Sequence, residues 1–166
     1  MWGYNNFGIP ELTNYANSGT AISDMNGKAN TEIVLNYATA QTDWKTASAI
    51  TSSKAAGFYP VFECAWRYHT SGTVQGDWYI PACGQLWNSV HNQTSIDAID
   101  AGYVLLGITG DKLGRVRYGT SSQRDGIKAW SLKDGSYPSC YFTDQQKGSS
   151  GDFSARPFCS KLMTRI

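Results

Sequence analysis

Five aspartates in the second half of the chain, Asp111, Asp125, Asp134, Asp144 and Asp152, are the first residues that could do chemistry, because paired carboxylates serve acid–base catalysis or cation binding. Each stands beside glycine or other turn-forming residues, where a carboxylate serves the local turn. The acids are scattered over separate turns, so no clustered oxygen site for calcium is expected and no metal is called for. Four cysteines, Cys64, Cys83, Cys140 and Cys159, permit two disulfides in three connectivities, and none is spaced as C-x-x-C. His69 and His91 do not fall at zinc-ligand spacing from the cysteines or from each other. The cysteines therefore read as buried or bonded residues. The chain has no G-x-S-x-G elbow, phosphate loop, H-E-x-x-H helix or EF-hand loop.

Packing alone does not account for the composition of residues 115–144. Arg117, Tyr118, Arg124, Lys128, Tyr137, Tyr141 and Phe142 stand there among small residues. Tyr and Arg bring large contact areas with polar ends, while Ser and Gly let loops adapt, which is the palette of recognition surfaces. Strand alternation through Ala129–Lys133 predicts Trp130 and Leu132 inward and Ser131 and Lys133 outward, with Arg117 outward as well. Tyr118, Arg124, Asp125, Ile127 and Lys128 are expected in the adjoining loop, and Tyr141 and Asp144 in the strand and turn after it. These ten residues form the expected exposed ligand-binding patch.

The elements that must position the patch follow from periodicity and punctuation. Residues 76–87 predict a strand, Trp78, Tyr79 and Ile80, running into a helix with Pro81 at its first position and Leu86 and Val90 on its buried face. Residues 1–23 read as an N-terminal strand and linker, with an edge strand over 2–9 paired to the other terminus. Residues 15–28 read as loop, followed by a helix capped by Asn30, with Glu32 in its first turn and Ile33, Val34 and Tyr37 buried. Residues 42–53 read as irregular. A helix over 58–69 starts near Pro60 and turns Val61, Cys64, Ala65 and Tyr68 to one face. Ser95 is expected to cap a short helix closed by Gly102. Beyond it, frequent glycines break the chain into a meander of short strands. The expected class is α+β, helices first and a compact antiparallel sheet after, with Trp78, Trp130 and Phe158 in one core.

A chain of 166 residues fits one domain, here 1–166, with a core of its own. A net charge of +1 offers no electrostatic case for nucleic acid or an anionic membrane, and no run is apolar enough to span a bilayer. The low charged fraction, 16%, beside 13% aromatic residues and 17 glycines, points to a loop-rich domain with an aromatic surface.

Four motifs in order add a family resemblance: Asp24-Met25-Asn26-Gly27-Lys28-Ala29-Asn30-Thr31; Gly76-Asp77-Trp78-Tyr79-Ile80-Pro81 followed by Gln85-Leu86; Thr120-Ser121-Ser122-Gln123 with Ala129-Trp130; and Ala155-Arg156-Pro157-Phe158. From about residue 24 onward the chain resembles the C-type-lectin-fold proteins of the formylglycine-generating-enzyme branch. Within that branch it looks most like the variable proteins of diversity-generating retroelements and related phage or bacterial surface adhesins. The resemblance implies a C-type lectin fold, helices flanking a small twisted sheet, with a diversified ligand face between the third motif and the closing one, residues 118–158. Gly119 and Arg124 depart from the relatives, which usually carry Trp at the first and often an aromatic at the second. It further implies a non-enzymatic receptor-binding domain on a phage tail or cell surface, part of a larger fibre or tail protein, whose partner is a protein or glycan on a target cell. The enzyme branch needs two reactive cysteines close in sequence, and Cys140 and Cys159 are too far apart to reproduce that motif. The sugar motifs of calcium-dependent lectins are also absent. An enzyme relative and a purely structural fibre domain are the alternatives.

Overall fold

The computed structural model describes residues 2–3, 8–40, 59–105, 107, 117–133, 141–147 and 157–160. In chain order these hold helices α1 (Ser18–Ala21), α2 (Gly27–Ala40) and α3 (Pro60–Arg67), strand β1 (Trp78–Tyr79), and helices α4 (Cys83–Val90) and α5 (Gln93–Leu105). Strands β2 (Arg117–Gln123), β3 (Lys128–Lys133), β4 (Tyr141–Gln146) and β5 (Phe158–Cys159) follow. β2, β3 and β4 form one antiparallel sheet in sequence order, and β1 pairs with β5 in a second. The class is thus α+β, with the described helices preceding the three-stranded sheet. The expected irregular stretch at 42–53, and Val116, Tyr137 and Cys140, lie outside the described residues.

The starts of the helices depart from expectation for local reasons. α2 begins at Gly27, whose N–H donates to Gln85 Oε1 at 3.1 Å, while the Asp24 carboxylate accepts from Asn26 N at 3.0 Å. Asn30 is therefore no cap. It is buried inside the helix, donating to Asp24 Oδ2 (2.9 Å) and Ser121 Oγ (3.3 Å). Gly27 and Gly84 are points of close approach: a Cβ on Gly27 would fall 2.2 Å from Gln85 Oε1, and one on Gly84 2.4 Å from the carbonyl of Ile22, ahead of α2. Residues 15–28, read as loop, also contain the single turn α1, capped by Asn17 Oδ1 on Thr20 N at 2.9 Å.

Pro60 starts α3 as expected, but the buried face is Phe62 and Ala65. Cys64 is exposed, and Tyr68 leaves the helix in an extended conformation to meet Trp78 edge-on at 5.1 Å. Pro81 is not helical either. Ile80 N donates to Thr31 Oγ1 (3.1 Å) and Pro81 O accepts from Ser121 N (2.8 Å), which keeps 80–82 extended and delays α4 to Cys83. Leu86 and Val90 are buried as their spacing predicts. α5 is capped one turn earlier than expected, by Asn92 Oδ1 on Ser95 N (2.8 Å), and runs through Gly102 to Leu105.

Two apolar clusters flank β2. In the first, Trp2 meets Tyr59 and Phe62 edge-on at 5.8 and 5.0 Å, with Ile9, Val34 and Ile80 around them. In the second, Leu86 and Val90 of α4 pack on Tyr118, Trp130, Leu132 and Phe142, with Phe158 at the margin. Trp78, expected in that core, lies outside it. The expected N-terminal strand is not seen at the described residues: Trp2 is buried, Gly3 N donates to Lys147 O at 3.0 Å, and β5 pairs with β1 instead.

Between the clusters β2 is polar and fully buried over Thr120, Ser121, Ser122 and Gln123. Buried polar groups must be bonded, and these are. Trp2 Nε1 donates to Thr120 O (2.6 Å), Thr120 Oγ1 to Trp130 O (2.8 Å), Cys83 N to Ser122 Oγ (2.9 Å) and Ser122 Oγ to Asp24 Oδ2 (2.7 Å). Short hydroxyl side chains let α2, α4 and the N-terminal segment all close on one strand.

Candidate functional site

Asp125 builds the β2–β3 hairpin. Its Oδ1 accepts from Ile127 N (2.8 Å) and Lys128 N (2.7 Å), and Arg124 N and Asp125 N both donate to Lys128 O. This is the turn role that an aspartate before glycine suggests. Ile127 is left at the tip, 43% exposed. Because β3 and β4 are in register with Trp130 opposite Asp144, the Asp144 carboxylate pairs with Arg124 and, at 3.2 Å, with Lys128 Nζ. The Arg124 guanidinium also lies 5.9 Å from the centre of the Trp130 ring, whose Nε1 donates to Tyr15 O at 2.8 Å. Arg124, Asp125, Lys128 and Asp144 are all half-buried.

Arg117, Lys133 and Tyr141 form a row across the opposite end of the sheet. Lys133 Nζ sits 5.8 Å from the Tyr141 ring, and Tyr141 is 51% exposed. Alternation along β3 puts Lys133 on the face opposite Lys128, and five residues of strand separate them by about 17 Å. Eight of the ten expected residues therefore fall into two groups rather than one patch.

Tyr118 and Ser131 correct the expectation outright. Tyr118 is 3% exposed because β2 already begins at Arg117, which places Tyr118 opposite Leu132 in the second cluster. Ser131 is fully buried, since both faces of β3 are covered, and its hydroxyl donates to Thr143 O at 3.2 Å. Trp130 and Leu132 are inward and Lys133 outward, as alternation predicts.

Beneath the hairpin lies a residue without a signal in the sequence. Lys147 is fully buried, donates from Nζ to Gln123 Oε1, and stands 4.7 Å from the Trp2 ring. Burial pulls its ammonium down to about 7, opposed by the Asp125 carboxylate. Gln123 is the hub of this end: Oε1 also accepts from Ile9 N (3.0 Å), and Nε2 donates to Ile9 O (3.1 Å) and Asn14 Oδ1 (2.8 Å). Gly8 and Gly126 touch closely enough that a Cβ on Gly8 would fall 3.1 Å from Gly126 Cα. The N-terminal segment thus straps the hairpin from behind.

Cys64, Cys83 and Cys159 are free thiols, and Cys64 is exposed, against the expectation that all would be buried or bonded. Cys83 is fully buried with Sγ 3.3 Å from Thr120 Oγ1, and burial pushes its thiol up to about 12. Among the described residues no three His, Cys, Asp or Glu side chains converge as a metal site, and no helix is long and apolar enough to cross a membrane. The sequence also gave no hint of a cavity of about 510 Å³ on the far side of α4, between Met25, Trp78, Tyr79, Asn88 and Phe158. Comparisons of the chain with known protein families, with curated proteins and with solved structures find no match.

Proposed function

We propose that this chain is a non-enzymatic binding domain of C-type lectin fold, displayed on a phage tail or cell surface, that holds a protein or glycan of a target cell at its β2–β3 hairpin. The observation that carries the reading is the contrast within the hairpin. Arg124 and Ile127 of the turn, Lys128 of β3 and Asp144 of β4 reach solvent together, while the stretch of β2 that leads into the turn, Thr120 to Gln123, is buried and bonded along its length. Recognition residues on a rigid scaffold lose little entropy on binding. The contact set is Arg124, Ile127, Lys128 and Asp144, with Asp125 shaping the turn.

The fold assignment is supported by the way separate motifs meet. Asp24 bonds Asn30 and Ser122, Gly27 bonds Gln85, and Thr31 bonds Ile80, so residues from three of the four motifs share one hydrogen-bond network. A variable ligand face needs such an invariant frame.

The test is binding of labelled domain to a panel of intact bacterial cells and to a glycan array. Replacing Arg124, Ile127, Lys128 and Asp144 together by Ala should abolish every signal the native domain gives, with thermal unfolding still cooperative. Replacing Arg117, Lys133 and Tyr141 together should leave binding in place. The reverse pattern, or native-like binding by the hairpin variant, refutes the proposal.

A further inference from the structure

The cavity beside α4 is large enough for a small-molecule site, which typically spans about 300–1,000 Å³. None of the nine described residues that line it carries a charge. Its walls are mainly aromatic and thioether: Trp78, Tyr79 and Phe158 on the β1–β5 pair, and Met25 ahead of α2. An ionised ligand would lose its hydration there without a counter-charge.

One polar group in the wall is oriented by the fold. Gln85 Oε1 accepts from Gly27 N and Ala82 N, both at 3.1 Å, which fixes the amide, since the flipped form would set its NH2 against two N–H donors. Its Nε2 must then face Tyr79, and it donates to the phenol oxygen at 3.2 Å. Tyr79 accepts from Gln85, so its own O–H is left to donate. No acceptor for that proton stands among the described residues. Trp78 Nε1, by contrast, is already committed to Thr73 Oγ1 at 3.1 Å.

We propose that this cavity is a second binding site, for a neutral small molecule with an apolar ring or chain and one oxygen acceptor, which the Tyr79 hydroxyl receives while Trp78, Phe158 and Met25 enclose the apolar body. The site lies on β1, β5 and α4, away from the β2–β3 hairpin, and stands or falls independently of the hairpin proposal.

Three probes of matched size separate the terms: acetophenone, with ring and carbonyl; ethylbenzene, with the ring alone; and benzoate, with an anionic acceptor. Each is titrated into the 15N-labelled full chain and followed by amide chemical shifts. Acetophenone should produce saturable shifts at Met25, Trp78, Gln85 and Asn88, ethylbenzene the same shifts with affinity lower by roughly two- to tenfold, the worth of one neutral hydrogen bond, and benzoate none. Tyr79→Phe should bring acetophenone down to the ethylbenzene affinity. Ser89→Trp, which fills the cavity from the half-buried side of α4, should abolish both and serves should Tyr79→Phe fail to fold. The hairpin variant should bind the probes as the native chain does. No saturable shift up to millimolar probe, shifts centred elsewhere, equal affinity for all three probes, or self-association through these same residues without probe would each overturn the assignment.

Discussion

The two ends of the β2–β3–β4 sheet carry similar residue types and treat them differently. At the hairpin end Arg124, Lys128 and Asp144 close over Trp130, and behind them Gln123 and Lys147 tie the strand to Trp2, Ile9 and Asn14. At the other end Lys133 leans on an exposed Tyr141 with Arg117 alongside in the ladder. An Arg and a Lys thus look equally suited to recognition at either end in sequence, but only at the hairpin does a network among the described residues brace them.

The largest difference between the ends should come from truncating the aromatic residues. Trp130→Ala removes a buried ring from the second cluster and should cost about 3–5 kcal/mol, whereas Tyr141→Ala at the open end should stay within about 0.5 kcal/mol. Urea unfolding of both variants decides it, and equal losses would erase the distinction. Next comes Gln123→Leu, which strands Ile9 N in the interior and takes the Gln123 Oε1 acceptor from the Lys147 amine. A loss of about 2–4 kcal/mol is expected, with faster hydrogen exchange at Ile9 and no change at Tyr141. An effect confined to less than 1 kcal/mol, by the same rule, would mean that the strap contributes little.

Lys147 sharpens the comparison through pH. Its folded value of about 7 lies below the ordinary 10.5, so between these two values the unfolded chain holds a proton that the folded chain has shed. Stability therefore rises as pH rises through that window, by at most about 1.4 kcal/mol per pH unit, and the slope disappears below it, where both states are charged. Lys147→Met should remove the slope. A native stability that does not climb from pH 7 to 10 relative to this variant would show that the amine stays protonated in the fold. The smallest effect belongs to the surface pairs. Lys128→Ala should cost no more than about 1 kcal/mol, less at high salt, and Lys133→Ala, which loses only an exposed ring contact, no more than about 1 kcal/mol and with little salt dependence. Salt titration of the two melting curves separates them.

Where the sequence was legible, the residues in question report on a local period. Leu86 and Val90 four apart, Trp130 and Leu132 two apart, Pro60 opening a helix and Asp125 before Gly126 each obey a rule that needs no partner. Errors fell where a polar residue has a distant partner. The Asn30 amide suits a cap, yet Asp24 and Ser121 hold it inside the helix. Pro81 was kept from the helix by Thr31 and Ser121. Alternation sends Ser131 outward, but the second face of β3 is covered as well, and Tyr118, expected in a loop, is already inside β2 opposite Leu132.

The sequence by itself determined the α+β class, the order of helices before the sheet and the hairpin turn, since all of these follow from periodicity and turn chemistry over a few residues. Tertiary structure alone decided that the expected patch divides between two ends and two faces of the sheet. It also decided that Lys147 is interior and that a cavity opens beside α4, because each depends on which surfaces meet across more than fifty residues of chain, and burial is a property of that meeting rather than of the residue.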